Sequence, residues 1–245
     1  MAAEQTPAPD YGRMVTEARR AFYVMFGLLC LVWGLHLVNW LTDYRLSIEG
    51  GILPRDPESL PDLLSSAFLH FNWEHLEGNS GPLFIFGFLA AYRGVKRFLG
   101  LTALLTLTSG AAVWLFSPEQ SLTVGASGLV FGYFGYVVLR GLIDRNLIDS
   151  LIGVVMGASF AYILVTAVPG TPGISWQGHL GGLVGGLAGA WIFRERRRKA
   201  PAAPGTTGTP GTDAPALPAQ AAPTQSSAAL TERQQLLKEL DDLGL

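Results

Sequence analysis

Apolar residues gather into six runs along this chain, each close to the length of a membrane crossing, with polar residues collected between them. A hydrocarbon core about 30 Å thick needs roughly 20 helical residues at ~1.5 Å each. The runs cover residues 21–42, 72–92, 98–116, 127–143, 147–168 and 174–193. The first begins too late and runs too long for a cleaved signal peptide, and no small-residue cleavage site follows it, so a retained span is expected. The sixth carries two rows of small residues at four-residue spacing: Gly178, Gly182, Gly186 and Ala190, and Gly181, Gly185 and Gly189. A helix with so little side chain on it is expected to be surrounded by other helices. Gly128, Gly132 and Gly135 give the fourth run a similar face, and Arg140 near its end is expected to reach the interface by extending its side chain.

The polar segments divide the chain further. Residues 1–20 read as a tail ending at the membrane surface, and 43–62 as a long loop punctuated by Gly50, Gly51, Pro54, Pro57 and Pro61. The fifth run ends at Pro169-Gly170-Thr171-Pro172-Gly173, a sharp break. Residues 194–199 are a basic segment. Residues 200–229 are an Ala, Pro, Gly and Thr linker with one charge, too poor in apolar surface to fold. Residues 230–245 read as a short amphipathic helix capped by Thr231 to Gln234, which either docks on a protein partner or frays. Alternate polar segments, counted with Arg140 at the end of the fourth run, hold thirteen Lys and Arg residues on one side and two, Arg45 and Arg55, on the other. The positive-inside rule then places both termini in the cytoplasm with an even number of crossings.

Composition agrees with this pattern. Hydrophobic residues make up 49% of the 245 and charged ones only 15%, and the mean hydropathy is +0.32, which excludes an ordinary soluble domain. The net charge of −2 identifies no partner, because the charges are segregated. A single cysteine, Cys30, excludes an intramolecular disulfide and a cysteine-rich metal site.

Polar residues inside the runs carry the candidate chemistry, since polar groups at membrane depth face protein or a water-filled cavity. Gly125-Ala126-Ser127-Gly128 opens the fourth run and puts one hydroxyl at a helix N-terminus, where free N–H groups can stabilise an oxyanion. Asn72 is placed to cap the second helix, setting His75 in its first turn with Asn79 on the same face. The small-residue rows make His179 a buried residue. By the charge count, Ser127, His179, His75 and Asn79 share one depth at the non-cytoplasmic ends of their helices. Singly, each has a plain alternative: a close-packed serine, a hydrogen-bonded core histidine, a helix cross-link. His36, among Trp33, Leu35 and Leu37, reads as a packed ring with no chemical role.

Together and in this order, the GASG serine, the His75-x-x-x-Asn79 pair and His179 followed by Gly182 and Gly186 resemble the rhomboid family of intramembrane serine proteases over residues 21 to about 193. The resemblance implies an all-α membrane protein, a six-transmembrane-helix bundle, with 21–193 as its protease domain. It implies Ser127 as nucleophile and His179 as base, with His75 and Asn79 as oxyanion donors. Around them it implies supporting roles for His70, Phe131, Gly125, Gly128 and Gly182. The implied partners are transmembrane protein substrates and the lipid bilayer, in a bacterial cell membrane, with no cofactor, metal or nucleic acid. The Trp-Arg pair common in the family's first loop is absent here, as is the usual glutamate in the turn at residues 93–100. The rival reading is an inactive rhomboid-like protein that binds transmembrane clients, but such relatives typically lack Ser or His. A transporter would show deep charges or repeated halves, and a zinc protease an H-E-x-x-H pair, and the sequence has neither.

Overall fold

The computed structural model describes residues 11–171 and 173–194. The remainder of the tail before residue 11, most of the basic segment, the 200–229 linker and the 230–245 helix lie outside the described residues. Within them the protein is helical throughout: α1 (Tyr11–Leu41), α2 (Arg45–Glu49), α3 (Asp62–Ser65), α4 (Trp73–Ala91), α5 (Val95–Phe116), α6 (Ser127–Asp144), α7 (Leu147–Phe160) and α8 (Trp176–Ile192). Short 3₁₀ turns cover Pro57–Ser59 and Ser66–Phe68, and a longer one, Ala161–Ala167, continues α7. The long helices follow the six apolar runs. Three segments, Tyr11–Leu41, Val95–Phe116 and Leu147–Ala167, are long and apolar enough to cross a membrane by length and composition alone. α4 is polar at its start, and α8 has only 17 residues, rich in glycine.

Two elements begin or behave differently from expectation. α1 takes in residues 11–20, which were expected to be tail. It holds no proline, and Glu17 pairs with Arg20 one turn on at 3.6 Å. Arg140 does not reach the interface. It is buried at 4% exposure, its guanidinium donating to Asp144 at 3.0 Å and lying 5.8 Å over the Tyr136 ring. The carboxylate one helical turn away answers the charge locally, which removes the reason to extend.

The glycine rows of α8 close the bundle. A Cβ at Gly182 or Gly186 would collide with the carbonyl of Gly128 or Gly132, so these two glycines lie directly on the backbone of α6. Gly181, Gly185 and Gly189 instead receive side chains of α5, those of Ala112, Thr108 and Leu101. Side chains this small let backbones approach closely, which is how helices associate where lipid offers no hydrophobic drive between them. At the opposite end, Arg93 is ion-paired with Asp149, tying the turn before α5 to the start of α7.

Candidate active site

The nucleophile candidate is aimed by the segment that precedes it. Ile52 and Thr123 exchange backbone hydrogen bonds of 3.0 and 3.1 Å, pinning the connector to the first loop. Gly125 donates to the Ser66 carbonyl at 2.9 Å, and Ala126 donates to His70 Nε2 at 3.3 Å. The chain turns into α6 at Gly125, whose φ of +138° suits only glycine, and any Cβ there would lie 2.6 Å from the His75 ring. Ser127 is then the first residue of α6, half-buried, with backbone N–H groups around it that have no intrahelical acceptor.

His179 sits in the first turn of α8, which Ser175 caps by accepting from Gly178 N–H at 3.4 Å. Ser109 of α5 donates to the Gly178 carbonyl at 2.9 Å, fixing that end of α8. The imidazole is 6% exposed and stacks on Phe131, with centroids 4.3 Å apart and planes 13° from parallel. Phe131 stands one turn after Ser127 on α6, so the ring contact spans the α6–α8 seam. Gly128 and Gly182 make that approach possible: a Cβ on Gly128 would strike Ser109 as well.

On α4, Asn72 accepts from His75 N–H at 2.7 Å, which is the cap its sequence position predicts. Asn79 is 9% exposed, and its amide donates to His70 Nε2 at 3.2 Å. Because Ala126 N–H can only donate, His70 Nε2 carries a lone pair and accepts from both. One histidine thus connects α4 to the residue before Ser127. His70 is in turn held by its own carbonyl, which accepts from Asn39 Nδ2 at 2.8 Å, Ser47 Oγ at 3.1 Å and His36 Nδ1 at 3.2 Å. His36 is fully buried, its ring edge-on to Trp73 at 4.4 Å.

Ser127, His179, His75, Asn79, Phe131, Gly125 and Gly128 all line one cavity of about 1000 Å³. His70 and Gly182 do not line it; each braces a residue that does. Among the described residues no group of three or more His, Cys, Asp or Glu side chains gathers as a metal-ligand set.

Residues 57–196 match the family model for the Rhomboid domain. An uncharacterized protein of Mycobacterium tuberculosis is 35% identical over 182 residues, covering 71% of this chain and 75% of that one. The chain belongs to the rhomboid family. Rhomboid-like protein 11, chloroplastic, of Arabidopsis thaliana is 32% identical over 47% of this chain and 41% of its own. Rhomboid protease GluP of Bacillus subtilis is 31% identical over 52% of this chain and 25% of its own. The rhomboid match takes in α3 to α8 and leaves α1 and α2, with His36, Asn39 and Ser47, outside it.

Two contributions to this rhomboid's cavity escaped the sequence reading. His36, Asn39 and Ser47 act together on one carbonyl 23 to 34 residues away, and nothing in their spacing announces a shared target. Thr166 accepts from His179 Nδ1 through its carbonyl at 2.9 Å. For that one a signal existed in Pro169, three residues later.

Proposed function

We propose that this integral membrane protein is an intramembrane serine endopeptidase that cleaves transmembrane protein substrates near the extracytoplasmic face, using a Ser127–His179 dyad. The observation that carries the reading is that Ser127, His179, His75 and Asn79, from three helices, line a single cavity. With both termini cytoplasmic and six crossings, that cavity opens to the outer side.

Serine is a weak nucleophile until a base takes its proton. As Ser127 Oγ attacks the scissile carbonyl, its proton passes to His179 Nε2 and the carbonyl oxygen becomes an oxyanion. The Ser127 N–H, the His75 ring and the second N–H of Asn79, whose first is held by His70, surround that charge. The imidazolium then protonates the leaving amine, the C–N bond breaks and an ester to Ser127 remains. Water, losing a proton to His179, hydrolyses the ester and returns the enzyme. Phe131 keeps the ring plane fixed through both transfers.

The decisive experiment is fluorophosphonate labelling and cleavage of a transmembrane substrate by the purified protein, beside Ser127→Ala and His179→Ala variants with matched folding controls. Both activities should vanish in both variants while the fold persists. Cleavage retained in either variant would sink the dyad. An intact protein inert in both assays would instead support a client-binding role.

A further inference from the structure

A serine–histidine pair without an acid leaves the imidazole free to carry its proton on either nitrogen, and only one choice works. Nε2 must be bare to receive the serine proton. Thr166 makes that choice. Its carbonyl oxygen lies 2.9 Å from His179 Nδ1, and a carbonyl has no hydrogen to give, so Nδ1 is the protonated nitrogen. Its hydroxyl oxygen lies 3.2 Å from the same Nδ1. That hydroxyl has already placed its one hydrogen on the Ile163 carbonyl at 2.8 Å, so towards His179 it too can only accept. Two acceptors on one residue therefore agree on one tautomer.

The carbonyl is available because of where it falls in the chain. Thr166 is the penultimate residue of the 3₁₀ stretch Ala161–Ala167. In a 3₁₀ ladder its carbonyl would be claimed by the N–H three residues later. That residue is Pro169, which has none. Gly170, at φ +134°, then turns the chain away.

We propose that Thr166 is the third member of the site, a positioning residue whose carbonyl and hydroxyl hold His179 in the Nδ1–H tautomer and face the imidazolium when it forms. The role rests on the Ser127–His179 reading and adds to it the part a carboxylate plays in a triad. A neutral acceptor does this without burying a second charge, which at membrane depth carries a heavy desolvation cost.

The test uses the full chain in detergent, labelled with ¹⁵N-histidine. There are four histidines, and a His179→Ala sample assigns the resonance of interest. The neutral His179 ring should show the shift pattern of the Nδ1–H form. Thr166→Val keeps the branched shape and the carbonyl but removes the hydroxyl acceptor. Its kcat should fall about tenfold, the worth of one hydrogen bond, with KM unchanged, and Thr166→Ser should restore it. An Nε2–H pattern in the native protein would overturn the proposal. So would a Thr166→Val defect confined to KM, or one that serine fails to repair. Cleavage surviving in Ser127→Ala would overturn the reading beneath it, and would do so with the His179 spectrum unchanged, so the two failures are distinguishable.

Discussion

α6 is in contact with both α7 and α8, and the two neighbours differ in burial, with eight buried residues on α8 and one on α7. α8 meets α6 along one glycine row, backbone against backbone, and takes α5 side chains against the other. α7 approaches α6 closely where Gly153 lies on the Val138 carbonyl and Gly141 meets Ser150, and Gly153 is its only buried residue. Elsewhere it turns Leu147, Leu151 and Val154 outward, at 88%, 65% and 65% exposure. The atoms proposed to react, Ser127 Oγ and the His179 ring, stand on the tight seam. What the loosely held side contributes is a backbone acceptor at its far end. The proposed reacting groups thus stand where α8 lies directly on the backbone of α6, while most of α7 faces outward.

The largest expected effect comes from forcing the seam open. A leucine at Gly186 would drive its side chain into the Gly132 carbonyl, a backbone atom that cannot turn aside. Gly186→Leu should cost at least about 3 kcal/mol, leaving no monodisperse protein and no thermal transition in detergent. A variant that folded with an unchanged midpoint would show that the seam is not what closes the bundle. Next in size, Asn79→Ala removes a proposed oxyanion donor without touching the seam. Turnover should drop on the order of 10²–10³-fold in kcat, while stability falls only by the ~1 kcal/mol of the lost bond to His70. An equal fall in stability would reduce Asn79 to a helix cross-link. The smallest effect belongs to the outward face of α7. Val154→Ala should move stability by less than about 0.5 kcal/mol and leave cleavage intact, and a larger loss would mean that this face has a partner.

Much of this arrangement was legible in the sequence because membrane insertion leaves few options. Apolar runs must become helices, so the six stretches and their order followed directly. Asn72 as a cap and the glycine rows of α8 were equally readable, since each depends on local geometry alone. The start of α1 was not, because charged residues before a span look like a tail until their helical spacing is noticed. The loop expected at 43–62 in fact folds into the short helix α2 and turns such as Pro57–Ser59, where Asp56 accepts from Glu58 N–H at 2.9 Å. Arg140 was misjudged because its answering charge, Asp144, was assigned to the following turn. The candidate site divides the same way. Ser127, His179, His75 and Asn79 announce themselves as polar groups where apolar ones belong. His36, Asn39 and Thr166 act through backbone carbonyls, their own or another residue's, and a carbonyl has no letter in the sequence.

A space of about 1000 Å³ around Ser127 has a chemical meaning beyond shape. Liquid water occupies roughly 30 Å³ per molecule, so such a volume has room for on the order of thirty. In a hydrolysis of the kind proposed, water is the second substrate, and a polar-lined cavity of this size has the room to hold it beside hydrocarbon that holds almost none. Such room would keep the proposed deacylation supplied. The scarce reactant is the peptide bond, which must leave a medium where its own hydrogen bonds are sealed and become exposed before anything at Ser127 can begin.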